Sequence, residues 1–129
     1  MATWRDLKTY IAAHYTVDSY AGDVVTLTLQ TKQGRTQTVS VMHTMTGSEI
    51  DFATIASPVG LASEVDVVRL LEIFDSHVVG GAATLGEHVV VRHAVQLDRL
   101  DVNEFEVPLH LVARTADHLE KLLLDHDVL

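Results

Sequence analysis

Short connections between alternating segments constrain this chain more than any other feature. Residues 23–30 read DVVTLTLQ, in which Val25, Leu27 and Leu29 alternate with Thr26 and Thr28. That period of two marks a strand with one buried face. Residues 31–35, TKQGR, form a hairpin loop, and TQTVSVMH at 36–43 returns with Val39 and Val41 inward. A turn at TGS, 46–48, leads to a third strand, IDFATIAS at 50–57. Strands joined so closely run antiparallel as a meander, because a parallel pair needs a crossover of about a dozen residues. Other elements must then cover the apolar sheet face.

Three segments can do so. Thr3 is an N-cap with Asp6 at capping-box distance, and Trp4, Leu7, Ile11 and His14 recur at helical spacing, predicting a helix over 4–15. SYAGD at 19–23 breaks it. SPVG at 57–60 ends the third strand as a rigid corner. In ASEVDVVRLLEIFDSH, 62–77, Ser63 is the N-cap and Asp66 falls at N3, with the helix stopping before VVGG at 78–81. ATLG and HVVVRHAVQ make a second hairpin turning near Gly86 and Glu87, and LDRLDVNEFE at 97–106 contains a short helical turn. Pro108 fits the first turn of a final helix running to residue 125, where its missing N–H costs nothing. The expected order is α-β-β-β-α-β-β-α. It describes an α+β fold with a mostly antiparallel five-stranded sheet packed by helices, in a single domain over residues 1–129.

The chain has no cysteine, which excludes disulfides, thiolate metal sites and cysteine nucleophiles. MATWRDLKTY has neither a basic leader nor an apolar run, and no stretch approaches the ~18 apolar residues of a membrane span. A cytoplasmic location is the expectation. The formal charge is −9, and lysines and arginines are scattered singly along the sequence. Duplex nucleic acid and anionic membrane are therefore not expected partners.

Eight histidines supply no HExxH or facial triad. His88 and His93, five apart, point to opposite faces of a strand. His110 and His118 share a helical face but stand about 12 Å apart along it. Asp125, His126 and Asp127 are a terminal polar cluster. No GxSxG or phosphate-binding loop is present, and Gly80-Gly81 is a turn. The expectation is no enzyme, no metal and no cofactor.

Two helices are too apolar for one core contact. Val67, Val68, Leu70, Leu71, Ile73 and Phe74 spread over roughly 220° of arc, against the ~100° stripe of an ordinary surface helix. Such a helix either lies deep in the core of the monomer or meets a second subunit or a client on its other side, and the second reading makes Val67, Val68, Leu70, Leu71 and Phe74 the candidate interface. The last helix has similar breadth, with a polar side of His110, Arg114, Asp117, His118 and Lys121 on which Asp117 and Lys121 form an i,i+4 pair. Glu120 falls inside its apolar arc and needs a cation. Arg92 is the first choice for this structural ion pair and Arg35 the second.

The element order and several strings together resemble the type III secretion chaperone-like fold, in the branch that includes the Tir-chaperone and YbjN-type proteins. The matching pieces are the amphipathic helix opening at Trp4, GRTQTVSV at 34–41, SPVG at 57–60, VVVRHAVQLDRLD at 89–101 and ADHLE at 116–120. The resemblance implies a non-enzymatic protein-binding module, chaperone-like or adaptor, that works as a homodimer and holds a segment of a client protein. The competing expectation is a small-molecule-binding or enzymatic domain with a pocket between sheet and helices, using His93, Arg92 and Glu120.

Overall fold

Thr3 and Asp6 close a capping box: each backbone N–H donates to the other's side-chain oxygen at 3.1 Å. They start α1 (Trp4–His14), which buries Trp4, Leu7 and Ile11 along one stripe. The computed structural model describes residues 2–32, 34–45, 47, 50–76 and 80–124. After α1 come β1 (Val17–Ala21), β2 (Val24–Gln30), β3 (Thr36–Met45), β4 (Asp51–Leu61), α2 (Val67–Phe74), β5 (Gly81–Leu85), β6 (His88–Gln96) and α3 (Glu106–Leu124). Two short 3₁₀ turns, Leu97–Arg99 and Val102–Phe105, precede α3. The TGS turn, the helix stop before VVGG and the 125–127 cluster fall wholly or partly outside the described residues.

The architecture is α+β, with an open antiparallel sheet in the order β1-β2-β3-β4-β6-β5. It has six strands rather than the expected five. The additional strand is β1, in VDSYA, where the sequence marks only a break. Four of its five residues are exposed, so no apolar alternation betrays it. Gly22, at φ +62°, turns it back along β2.

The third strand of the meander also runs further than expected. SPVG does not end β4, which continues through Pro58 to Leu61 across a bulge between Pro58 and Gly60. Side chains replace the ladder there. Ser57 Oγ donates to the Thr38 carbonyl at 2.7 Å, and Gln37 Nε2 donates to the Pro58 carbonyl at 2.6 Å. A proline lacks the N–H that a central strand would use, so such substitutes are needed for it to stay in the sheet. The following helix starts later than Ser63 suggests. Its N-cap is Asp66, which accepts from the Arg69 N–H at 3.1 Å.

Strand alternation sorts the sheet into two faces. Val25, Leu27, Leu29, Val39, Val41, Ala53, Ile55, Val89 and Val91 form one core with Leu7 and Ile11 of α1, Leu70 of α2, and Leu109, Val112, Ala116 and Leu119 of α3. All three helices therefore share that face. The other face carries Thr26, Thr28, Thr38, Ser40, Met42, Thr54, Ala56, Val90 and Arg92, and among the described residues no helix packs on it. Small neighbours still shield its centre, leaving Ala56 and Val90 buried.

Candidate interaction surface

α2 is eight residues long, and only part of its apolar arc reaches the core. Leu70 is buried, while Ile73 and Phe74 pack against the core from its edge. Leu70 therefore presents nothing to a partner, and Phe74 does so only in part. Val67, Val68 and Leu71 are exposed by 44%, 66% and 58%. Spacings of three and four residues put Leu71 beside both valines, so the three form one continuous patch. Glu72 and Asp75 flank Val68 and Leu71 around a shallow depression. The five residues expected at an interface thus divide between an outward trio and an inward pair. Among the described residues, the helix is covered on one side only.

β5 lies beside α2 at the end of the sheet. Its sequence, GAATL, carries no charge and no proline, and its outer edge pairs with no other strand among the described residues. The opposite edge, β1, has an irregular register and places Asp18 against Thr28, whose hydroxyl donates to Asp18 Oδ2 at 2.6 Å. Bulges and charges of that kind discourage a further strand from pairing; β5 has neither.

The Glu120 and Arg92 expectation meets a topological obstacle. Arg92 pairs in register with Ala56, on the face without helices, whereas α3 packs on the other face, so the sheet stands between them. An ion pair that does tie α3 to the sheet joins Arg35 to Asp117, with Arg35 Nη2 2.7 Å from Asp117 Oδ2. Thr31 Oγ1 donates to the same oxygen at 3.1 Å. Asp117 is buried to 4% exposure, and its partner is Arg35 rather than Lys121 on a solvated face. The alternative site of His93, Arg92 and Glu120 is also dispersed, since consecutive strand residues point to opposite faces and His93 pairs with Ile55 on the helix-covered side.

A polar cluster that no local sequence pattern marks lies at the junction of α1 and α3. Tyr10 donates to Glu106 Oε1 at 2.7 Å, and Tyr15 donates to Glu106 Oε2. His110 places Nε2 3.2 Å from Glu106 Oε2 and 3.1 Å from the Tyr15 hydroxyl. Burial pushes the Glu106 carboxyl up, but donation from Tyr15, Tyr10 and His110 outweighs it and holds the group below the usual carboxylate range. Burial, then the bond to Glu106, pushes the Tyr15 hydroxyl well above the ordinary phenol range. In sequence only the i,i+4 spacing of Glu106 and His110 hints at this cluster, because the tyrosines lie more than 90 positions away. These groups satisfy one another and bind α1 to the first turn of α3. A carboxylate also sits favourably at a helix start.

Trp4 is held from a second direction. Its ring stacks on His43 of β3 at 5.4 Å between centroids and 9° between planes, and His43 Nε2 lies 2.8 Å from Asp51 Oδ1. Among the described residues no group of three or more His, Asp or Glu is placed to hold a metal ion. No helix there is long and apolar enough to cross a membrane. Comparison of the chain with protein-family models, curated proteins and solved structures returns no match.

Proposed function

We propose that this chain is a non-enzymatic protein-binding module, chaperone-like or adaptor in character, that works as a homodimer and holds a segment of a client protein. The observation that carries the reading is the exposed trio Val67, Val68 and Leu71 on a two-turn helix whose other side is buried. Isolated surface apolar residues need no explanation, but a contiguous patch on a small domain favours a protein partner. A self-complementary patch on a short helix suits a two-fold pairing, in which each copy presents the same residues to the other. The uncharged edge of β5 beside it offers backbone groups to the same interface. The resemblance of several sequence strings to type III secretion chaperone-like proteins also supports this reading, while the observed order of elements carries one strand more than that resemblance implies.

Sedimentation equilibrium tests it. The wild-type protein is expected to sediment as a dimer of the 14.2 kDa chain at micromolar concentration. Val68→Asp and Leu71→Asp are expected to give monomers with unchanged far-ultraviolet circular dichroism, because neither side chain belongs to the core. A wild-type monomer, or dimers that survive both changes, refutes the α2 interface.

A further inference from the structure

The single basic residues of the sequence are not single in space. A cleft of about 320 Å³ opens between the β2–β3 turn and the exposed side of α3, lined by Thr31, Lys32, Arg35, Arg114, Thr115, Asp117 and His118. Three of the nine lysines and arginines of an acidic chain meet there, yet only one of its eighteen acids does. The turn brings them together. Gly34, at φ +81°, lets the chain reverse, the Arg35 N–H donates to the Lys32 carbonyl at 2.8 Å, and the Thr31 N–H donates to the Arg35 carbonyl at 3.0 Å. On the helix, Arg114 and His118 are four residues apart and so lie on one face.

The cleft is short of acceptors. Asp117 accepts from both Arg35 and Thr31 through Oδ2, and it is buried beneath them. The side chains of Lys32, Arg114 and His118 have no ion-pair or hydrogen-bond partner among the described residues, and Arg35 Nε is buried without one. Three cations against one carboxylate leave a formal surplus of two positive charges, with His118 able to add another. The Thr115 hydroxyl supplies a further donor, whereas that of Thr31 is committed to Asp117.

From this arrangement we propose that the cleft is a binding site for a small organic phosphate or diphosphate. A phosphate monoester carries about −1.5 to −2 charges near neutral pH and several strong acceptor oxygens, which matches the surplus charge and the idle donors. A single carboxylate would match only half of it. The volume suits a small molecule rather than a polymer, since ligand pockets start at about 300 Å³. Nucleic acid is disfavoured because the basic residues form a closed group on a chain of net charge −9 rather than a track. The site is separate from the α2 patch, and either proposal can fail without the other.

The test is a titration of uniformly ¹⁵N-labelled protein with pyrophosphate at constant ionic strength, read by amide chemical shifts. Saturable changes centred on Thr31, Lys32, Arg114, Thr115 and His118 are expected, with at least about tenfold weaker binding in Arg114→Glu and in Lys32→Glu. Both side chains are exposed and outside the Arg35–Asp117 pair, so both variants should melt at the wild-type temperature. A phosphoserine peptide titrated in parallel separates the two sources of a phosphate group. Absence of saturation at millimolar pyrophosphate, equal binding by Arg114→Glu, or clear preference for the peptide overturns the proposal.

Discussion

Asp117 and Glu106 show two ways of holding a carboxylate on α3. Asp117 is almost enclosed and relies on Arg35 and Thr31, so removing it abandons a partly buried guanidinium. Asp117→Ala should cost about 1–3 kcal/mol in urea denaturation, less than the ~3–5 of a fully enclosed pair because water still reaches Arg35. Loss of less than ~0.5 kcal/mol would mean that α3 does not depend on this tie. Glu106 is half-buried and its effect depends on pH. Its carboxyl titrates lower in the folded protein than in the unfolded chain, so it contributes stability above the unfolded value and loses it as pH falls through the folded one. The tyrosines work at the other end. Tyr10 and Tyr15 are raised, so their contribution is complete below the ordinary phenol range and is lost as pH rises from there through the raised folded values. Comparing wild type with Glu106→Gln across pH should therefore show a stability difference that is level near neutrality and shrinks below about pH 4. A difference that does not change with acid would show that the carboxylate charge contributes nothing to the junction.

Elements were legible in the sequence where burial imposes a period. α1, β2 and β3 bury helically spaced or alternate residues, and their patterns in Trp4–Ile11, Val25–Leu29 and Val39–Val41 are visible without a structure, while β6 is marked by the apolar run Val89–Val91, all of it buried. β1 was not, because an edge strand with its outer residues in water has no reason to alternate. β4 departs from the expectation at Pro58 for a different reason. Proline breaks a ladder unless other donors and acceptors stand in, and Ser57 and Gln37 do so through contacts with Thr38 and Pro58 that no local pattern announces. Gln37→Ala leaves the Pro58 carbonyl without its side-chain donor beside a buried strand. A loss of about 1–3 kcal/mol is expected, with faster amide exchange from Ala56 to Leu61 than from Ala53 to Ile55. Uniform protection along β4 would mean that the bulge stands without this bond. The candidate sites were legible to the same degree. The breadth of α2 in apolar residues pointed to Val67, Val68, Leu70, Leu71 and Phe74, of which Val67, Val68 and Leu71 are exposed. The cleft around Arg35 and Arg114 did not show, since its two halves are nearly 80 positions apart and each basic residue looks solitary along the chain.

Across the whole molecule, charge is distributed against self-association and in favour of the cleft. The chain carries eighteen acids and nine bases, and Glu72 and Asp75 stand beside the exposed residues of α2. A two-fold dimer through that patch brings each copy's acids toward those of the other, while the attraction comes from apolar burial that salt does not screen. Raising ionic strength from about 0.01 M to about 0.15 M shortens the screening length from ~30 Å to ~8 Å. The proposed dimer should therefore tighten several-fold over that range, as sedimentation at fixed protein concentration would show, and Glu72→Gln should reduce the effect. Pyrophosphate at the cleft should behave oppositely, weakening as salt competes for Lys32, Arg35 and Arg114. Two interactions with opposite salt slopes in one small protein cannot both come from its net charge, which changes sign nowhere in the experiment. A dimer that loosens with salt would instead be held by ion pairs, and the contact would then have to lie away from Val68 and Leu71.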